Sequence, residues 1–431
     1  MCPLKLMLIS TWGYALDLLF SVLLAALPPK EQKKKFFGGG CATPAGRRNI
    51  MTHLPVTPPP PLRGADIGSF AHDTVVRRMP ATVRRVLHEN SLSPEATQAV
   101  LALAEEIPHA PIRAPHDHSA PDLALWEAYC APYLGQNWLE VPWFFAETAM
   151  YRRILEATGY FKPGSGFYVD PYALQKRLAL EEFSFASLPG DLAAALAASL
   201  WGNQADLSLW PAGENATPGA THILADDTPQ VVAYLTELIR HDARVDLILD
   251  NVGSELVHDL LLADHLLRHG LHLVMHAKPH PTFVSDALVV DVQNTVGWLS
   301  QHQHAQVAAV GNHLLAALAD GRIELRDDWY WTSPLPGWEM PAALRADLSQ
   351  SGLLISKGDA NYRRWFGDCH WPTHTPLQHV LSYVPAPLLL LRTCKSEIVL
   401  GIEPEHSHAV AQQDAEWMTS GRWGVIQLWA G

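Results

Sequence analysis

The sequence predicts an α/β/α sandwich with a mainly parallel β-sheet, preceded by a helical N-terminal region. Between Ser69 and Trp201, apolar residues recur at spacings of three and four, which is typical of amphipathic helices. After Trp201, short apolar runs alternate with helical stretches, and such runs suit strands that are buried on both faces of a parallel sheet. The predicted segments are a leader over 1–50, a proline-rich lead-in over 51–68, a helical region over 69–201 and an α/β core over 202–431.

The composition is that of a folded and acidic protein. Of the 431 residues, 48% are hydrophobic and 17% are charged, which excludes wholesale disorder because disordered chains combine low hydrophobicity with high charge. The formal net charge of −13 argues against sequence-independent binding of nucleic acid, which requires a basic surface. The five cysteines form no Cys-x-x-Cys pair, so we expect free thiols and a cytoplasmic location.

The first fifty residues differ from the rest of the chain. Residues 6–27 form an apolar run that Asp17 interrupts, and four lysines follow between positions 30 and 35. About twenty apolar residues could span a bilayer, and the basic flank would then face the cytoplasm. Three interpretations stay open, namely a misplaced start codon with the true start at Met51, a membrane anchor or targeting segment, and a packed helix. We expect no membrane partner unless residues 6–27 belong to the native protein.

The helical region divides at its prolines. Residues 81–105 predict two helices that Ser93-Pro94 separates, with Ser93 as the N-cap of the second helix. Residues 120–160 predict further helix with a boundary or kink at Pro142. Two more helices are expected to begin at Asp170-Pro171 and at Asp191.

Seven apolar runs predict the strands of the core, and helical stretches lie between them. This alternation is typical of a doubly wound α/β sheet. The runs cover 222–227, 245–251, 271–278, 323–328, 353–359, 387–395 and 425–430, and the intervening helices are expected at about 229–241, 254–268, 301–319 and 340–351.

Polar side chains follow four of these runs. In open α/β sheets, ligands bind outside the carboxyl ends of the strands, so polar groups placed there should meet at one edge. One such group could merely cap a strand, whereas four together predict a functional site. The groups are Asp250-Asn251, Lys278 with Asp286, the segment from Lys357 to Arg363, and the segment from Arg392 to Lys395.

Asp250, Asn251 and Asp286 predict a metal site at this edge. Two carboxylates and an amide supply hard oxygen ligands and no sulfur, which favours Mg²⁺ or Mn²⁺ over zinc. The alternative is that Asp250 and Asn251 only cap the following helix. That helix should follow a tight turn at Gly253, and its amino end would favour an anion. Ser254 is the candidate cap and Glu255 should lie in the first turn.

Three cations are candidates to bind phosphate, namely Arg363, Arg392 and Lys395. Arginine offers planar bidentate contacts, and lysine offers a mobile point charge. The alternative is that they form surface salt bridges. Metal-binding carboxylates beside such cations are the combination that phosphoryl transfer requires.

The motifs DNxGxE, KGDxNYR and RTxK, in this order, resemble those of the damage-control phosphatase family. The resemblance is strongest to its acidic-residue-methyltransferase-like branch, also called domain of unknown function eighty-nine. It extends over residues 69–431 and excludes the leader. Four further segments carry it, at 138–154, 170–176, 201–208 and 420–427.

The resemblance implies a metal-dependent hydrolase of phosphorylated metabolites such as sugar phosphates, with an α/β/α core behind a helical region. It implies that Asp250, Asn251 and Asp286 bind the metal, with Mn²⁺ or Mg²⁺ expected and Co²⁺ or Ni²⁺ as alternatives. Before Arg78 the family usually has a basic–acidic pair, and this chain has Val76-Arg77. Substrate choice is therefore expected to differ. Substrate contacts are implied for Asp359, Asn361, Tyr362, Arg363 and Lys395, and Glu255 matches a position linked to a methyl donor.

Two enzymatic functions follow from these observations. The leading hypothesis is a phosphomonoester hydrolase in which Lys395 and the loop from Asp359 to Arg363 hold the phosphate and its organic group. Either Asp250 or a metal-activated water would attack phosphorus. The alternative is an S-adenosylmethionine-dependent protein-glutamate O-methyltransferase. It ranks lower because no glycine-rich loop follows the first strands to receive a nucleotide-like cofactor. A third, non-enzymatic reading is a metal-binding scaffold.

Overall fold

Seven strands pair into one sheet, as the apolar runs predict. The computed structural model describes residues 56–181, 183, 188–202 and 222–431. The strand order is β1-β7-β6-β5-β2-β3-β4, and every pairing is parallel except that of β7 with β6. The strands are β1 Ile223–Asp226, β2 Arg244–Ile248, β3 His272–Ala277, β4 Ile323–Asp327, β5 Leu353–Lys357, β6 Leu388–Thr393 and β7 Gly424–Trp429.

The four runs with polar carboxyl ends become four adjacent strands, in the order β6-β5-β2-β3. Ile248 at the end of β2 lies beside His276 of β3 and Ser356 of β5. Lys357 at the end of β5 lies beside Leu391 of β6. Because these strands are parallel and in register, their carboxyl ends lie at one edge of the sheet, which confirms the predicted meeting of polar groups.

Helices cover both faces of the sheet. Alternate strand residues such as Leu247 and Leu389 pack into one core, and their neighbours Ile248 and Leu390 pack into another. This two-sided burial is why the strands read as continuous apolar runs. One layer contains α6 Leu192–Trp201, α7 Thr228–Ile239, α8 Ser254–Arg268, α9 Val289–Ser300 and α10 Ala305–Ala319, and the other contains α11 Ala342–Leu348, α12 Asp359–Phe366, α13 Leu377–Leu381 and α14 Pro404–Gln413.

The helical region has its own apolar core. The Ser93 hydroxyl accepts a hydrogen bond from the N–H of Ala96, which confirms the predicted N-cap, and a helix begins directly after Pro142. Helix α1 is continuous through Phe70–Asp73, a π-helical turn at Thr74–Arg78, and Met79–Glu89. The remaining helices of this region are α2 Pro94–Glu106, α3 Leu123–Cys130, α4 Trp143–Thr158 and α5 Ala173–Glu181.

Several details differ from the sequence analysis. Helices α9, α12, α13 and α14 were not predicted. Helices α12 and α13 span eight and five residues, which is too short to show a periodic pattern, and α9 and α14 mix apolar and polar side chains. Helix α6, assigned to the helical region, packs Leu196 and Leu200 into the core beside the sheet. The N-cap of α8 is Gly253 with φ of 72°, and Ser254 is the first helical residue, so the predicted Ser254 cap is wrong.

The apolar run over 6–27 and most of the motif over 201–208 lie outside the described residues. Across the described ranges, none of the helices has the length and apolar character that a bilayer span needs.

Candidate active site

A cavity of about 290 Å³ lies at the carboxyl ends of β2, β3, β5 and β6. The sheet side contributes the polar residues that follow these strands. The helical region contributes the opposite wall through α1 and α4, including Trp143 and Tyr151. The cavity is therefore built jointly by the two parts of the chain.

Asp250, Asn251 and Asp286 lie together in this cavity. The loops after β2 and β3 are joined because the backbone of Asn251 pairs with that of Asp286, and the N–H of Ala287 donates to the carbonyl of Asp250 at 2.7 Å. Asn251 Nδ2 donates to Asp250 Oδ2 at 2.7 Å, and Asn251 Oδ1 accepts from the Ser285 hydroxyl. These bonds hold the loop of Asp286 beside Asp250 and Asn251, and all three residues line the cavity.

The end of β5 comes very close to Asp250. Gly358 has a φ of 79°, and a Cβ added there would lie 1.9 Å from Asp250 Oδ2. Only glycine fits this conformation and this contact. The glycine of the KGD motif thus makes room for the candidate metal ligand.

The electrostatics of the site favour a bound cation. Burial, together with the charges of Glu255 and Asp286, raises the pKa of Asp250 well above its ordinary value. Burial raises the pKa of Asp286 to about 6, although Lys278 opposes this shift. Asp286 Oδ2 is buried and accepts no hydrogen bond from any described residue. The ammonium group of Lys278 lies 3.5 Å from this oxygen, and a divalent cation would add a closer positive charge and keep both carboxylates ionised.

Buried carboxylates outnumber buried lysines in the cavity wall and directly behind it. Lys357 Nζ lies 3.1 Å from Asp259 and 3.6 Å from Glu255, and Lys278 Nζ lies 3.5 Å from Asp286. A divalent cation carries the charge that would balance the excess, and hard oxygen donors suit Mg²⁺ or Mn²⁺. The residues are Asp250, Glu255, Asp259 and Asp286 against Lys278 and Lys357.

Lys395 reaches the same cavity from the turn after β6. Asp359 Oδ1 holds this turn by accepting hydrogen bonds from the N–H of Lys395 at 3.1 Å and from the Ser396 hydroxyl at 2.9 Å. Among the described residues, no carboxylate oxygen lies within 4.0 Å of Lys395 Nζ. Its ammonium group is therefore available to an anionic ligand, and Asp359 positions it.

Arg363 lines the cavity but is already paired. Its guanidinium donates to Asp368 at 2.8 and 2.9 Å and to Glu147 at 2.5 Å, and it lies 3.7 Å from the centre of the Trp143 ring. Arg363 thus connects α12 to α4 across the cavity. Any contact with substrate would add to this established network.

Asn361, Tyr362 and Arg392 do not line the cavity. Asn361 Nδ2 donates to the carbonyls of Leu249 and Lys357, which ties the ends of β2 and β5 together. The Tyr362 hydroxyl accepts from the N–H of Leu400, and Arg392 binds Asp359 at 2.7 Å. The substrate contacts predicted for these three residues stay predictions, and in this structure each side chain is buried behind the cavity wall with its own partners.

Several lining residues were not singled out by the sequence analysis. Trp143, Glu147 and Tyr151 come from α4, where most residues are buried core positions. Arg78 also lines the cavity, and the sequence analysis mentioned it only as the residue after Val76-Arg77. The family-like segment over 138–154 contains three of them and was the available signal. Glu147 is largely buried, and burial raises the pKa of its carboxyl although Arg363 opposes the shift.

A second group of ligand-type atoms lies elsewhere on the sheet. Asp246, His276 and Asp347 place one atom each within 4.8 Å of one another, so the group could by geometry hold a metal ion. Arg244 already donates to both carboxylates, at 2.6 Å to Asp246 and at 2.9 Å to Asp347, and Arg326 donates to Asp347 at 2.7 Å. With two guanidinium groups present, this group therefore needs no metal ion to balance its charge.

Comparison with known proteins agrees with the motifs. The sequence profile of the Damage-control phosphatase ARMT1-like domain matches residues 74–410. Damage-control phosphatase ARMT1 of Danio rerio is 31% identical over 436 residues, which cover 86% of this chain and 97% of that protein. The human protein of the same name is 28% identical, with coverages of 86% and 98%.

Among solved structures, a DUF89 family protein from Pyrococcus horikoshii aligns with a TM-score of 0.42 at 13% identity, over 81% of this chain and 95% of that one. The family assignment comes from the sequence comparisons. From the profile match and the full-length relatives, the chain belongs to the damage-control phosphatase ARMT1-like family.

Proposed function

We propose that this chain is a metal-dependent phosphomonoester hydrolase that acts on small phosphorylated metabolites such as sugar phosphates. The observation that carries the proposal is one cavity holding an excess of buried carboxylates beside Lys395, a cation with no carboxylate partner among the described residues. The phosphatase name of the relatives supports it. Methyl transfer has no comparable support, because Glu255 is engaged with Asn251 and Lys357.

The chain's own residues have distinct roles in this proposal. Asp250, Asn251 and Asp286 would hold a divalent metal, which would supply Lewis-acid stabilisation of charge on the phosphoryl group. Lys395 binds the phosphate oxygens and stabilises the negative charge that develops in the transition state. Trp143 contributes an apolar wall opposite them, which excludes water and strengthens these electrostatic interactions.

The first experiment measures phosphate release from a panel of phosphorylated metabolites with Mg²⁺, Mn²⁺, Co²⁺ and Ni²⁺ in parallel, and metal binding by calorimetry. Asp286→Asn should weaken metal binding and lower phosphate release about a hundredfold or more, since it removes a charged ligand. Asp347→Asn is the matched control from the second acidic group and should leave both measurements unchanged. The assignment is wrong if Asp347→Asn loses the metal while Asp286→Asn keeps it.

A cytoplasmic location is part of the same proposal. The described cysteines Cys130, Cys369 and Cys394 are free and buried, which suits a reducing compartment. Fractionation of the native cells would test it.

A further inference from the structure

Arg78 occupies an unusual position in the cavity wall. It ends the π-helical turn Thr74–Arg78, and such turns are frequent at functional sites. Its side chain is exposed and lines the cavity, with the guanidinium carbon 4.9 Å from the centre of the Phe70 ring. Phe70 in turn packs edge-on against Trp143, at 5.9 Å between ring centres. Arg78 is thus held over an aromatic wall and faces the ligand space.

Arg78 has no ion-pair partner within the described ranges. Its neighbour Arg77 pairs with Asp73 at 2.7 Å, and Arg363 pairs with Glu147 and Asp368. Of the described cations that line the cavity, Arg78 and Lys395 therefore have no carboxylate within 4.0 Å.

The two cations serve different parts of the cavity. Lys395 follows β6, and its charge is among those that act on Asp250. Arg78 belongs to α1, and its charge acts on Glu147 and Tyr151 of the helical wall. A ligand that fills the cavity would meet one cation at the acidic site and the other at the opposite wall.

We propose that Arg78 forms a second anion subsite, so that the preferred substrates carry a carboxylate or a second phosphate besides the phosphate that is cleaved. This inference rests on the proposed phosphatase function and narrows its substrate class. A guanidinium binds carboxylate and phosphate oxygens in a bidentate manner.

The test compares kcat/KM for glucose 6-phosphate, 6-phosphogluconate and glucose 1,6-bisphosphate, by release of inorganic phosphate with Mg²⁺ or Mn²⁺. Native protein should prefer at least one of the two substrates with a second anion by about tenfold, beyond the statistical factor of two for the bisphosphate. A preference for 6-phosphogluconate alone identifies a carboxylate subsite. A preference for glucose 1,6-bisphosphate alone identifies a phosphate subsite.

Variants of Arg78 and Arg77 distinguish binding of a second anion from a general loss of activity on all substrates. Arg78→Gln should reduce the preference to near unity, Arg78→Lys should retain part of it, and Arg77→Gln should retain all of it, because Arg77 is paired with Asp73. Equal use of the three substrates by native protein, or an equal loss on all three in Arg78→Gln, overturns the anion subsite alone. Absence of phosphate release from every phosphorylated compound overturns the proposed function as well.

Discussion

At the scale of single residues, the side chains of Cys394 and Lys395, which follow β6, have different surroundings. Lys395 lines the cavity, whereas Cys394 is fully buried in the core on one face of the sheet. Burial raises the pKa of the Cys394 thiol to about 11, so that a thiolate is scarce at neutral pH. The geometry therefore allows the Lys395 ammonium group to bind an anion in the cavity, whereas the Cys394 thiol packs in the core.

We expect Lys395→Ala to lower kcat/KM for phosphate release by about a hundred- to a thousandfold, because it removes one electrostatic contact to the transition state. Metal affinity, measured by calorimetry, should persist. Lys395→Arg should restore little activity, since a planar fork does not reproduce a point charge. Cys394→Ser is the control and should retain activity. A Cys394→Ser variant as inactive as Lys395→Ala would contradict this assignment.

At the scale of secondary-structure elements, a buried ionic network joins α6, α8 and β5. Lys357, the last residue of β5, binds Asp259 of α8 at 3.1 Å and donates to the carbonyl of Ser199 in α6. The Ser199 hydroxyl donates to Asp259 at 2.6 Å. Burial raises the pKa of Asp259 to about 6, although Lys357 opposes the shift. The network fixes the helices behind the acidic site.

We expect Lys357→Met to lower the free energy of unfolding by about 3 kcal/mol, because it leaves Asp259 and Glu255 buried without their cation. Urea denaturation followed by circular dichroism measures this change. Ser199→Ala should cost about 1 kcal/mol, since it removes one hydrogen bond from the same network. If the two variants have equal free energies of unfolding, the ammonium group of Lys357 is not the main source of the stability that this network provides.

At the scale of the whole molecule, the loop after β3 connects the sheet to the helical region. His280 in this loop is buried against Phe161 and Trp329, and its Nε2 lies 3.9 Å from Asp122 Oδ2 without a hydrogen bond from the described residues. Burial lowers the pKa of His280 to about 4. The native protein therefore keeps this imidazole neutral where the unfolded chain protonates it.

We expect this histidine to reduce stability as the pH falls from 6.5 to 4. Well above pH 6.5, the ring is neutral in both the native and the unfolded state. Below pH 6.5, the unfolded chain binds a proton at this ring and the native state does not. This difference lowers the free energy of unfolding by on the order of 3 kcal/mol at pH 4. His280→Phe should remove this loss. The check is the difference in unfolding free energy between the two proteins across that range.

Asp250 and Asp286 act in the opposite direction, since their raised pKa values make the native state bind protons first. They are present in both proteins, so their effect cancels in the difference. A difference that stays constant with pH would contradict the role given to His280.

The sequence by itself determined the seven strands and the edge of the sheet that carries the site. The seven strands, the Ser93 cap and the polar groups after four strands could all be predicted, because periodicity, capping and strand-end chemistry are local properties of the chain. The same local signals, with the ordered motifs, marked Asp250, Asn251, Asp286 and Lys395 as the candidate site.

The tertiary structure alone decided which of the charged side chains have ion-pair partners and which face the cavity without one among the described residues. Strand order placed β2 between β5 and β3, so that Gly358 and Asp286 meet Asp250 from opposite neighbours. The packing of the helical region against the sheet pairs Arg363 with Glu147 and Asp368, and it places Arg78 in the cavity wall. These outcomes depend on contacts between residues far apart in sequence, and the pairing of a charge is set by whichever opposite charge the fold brings within reach.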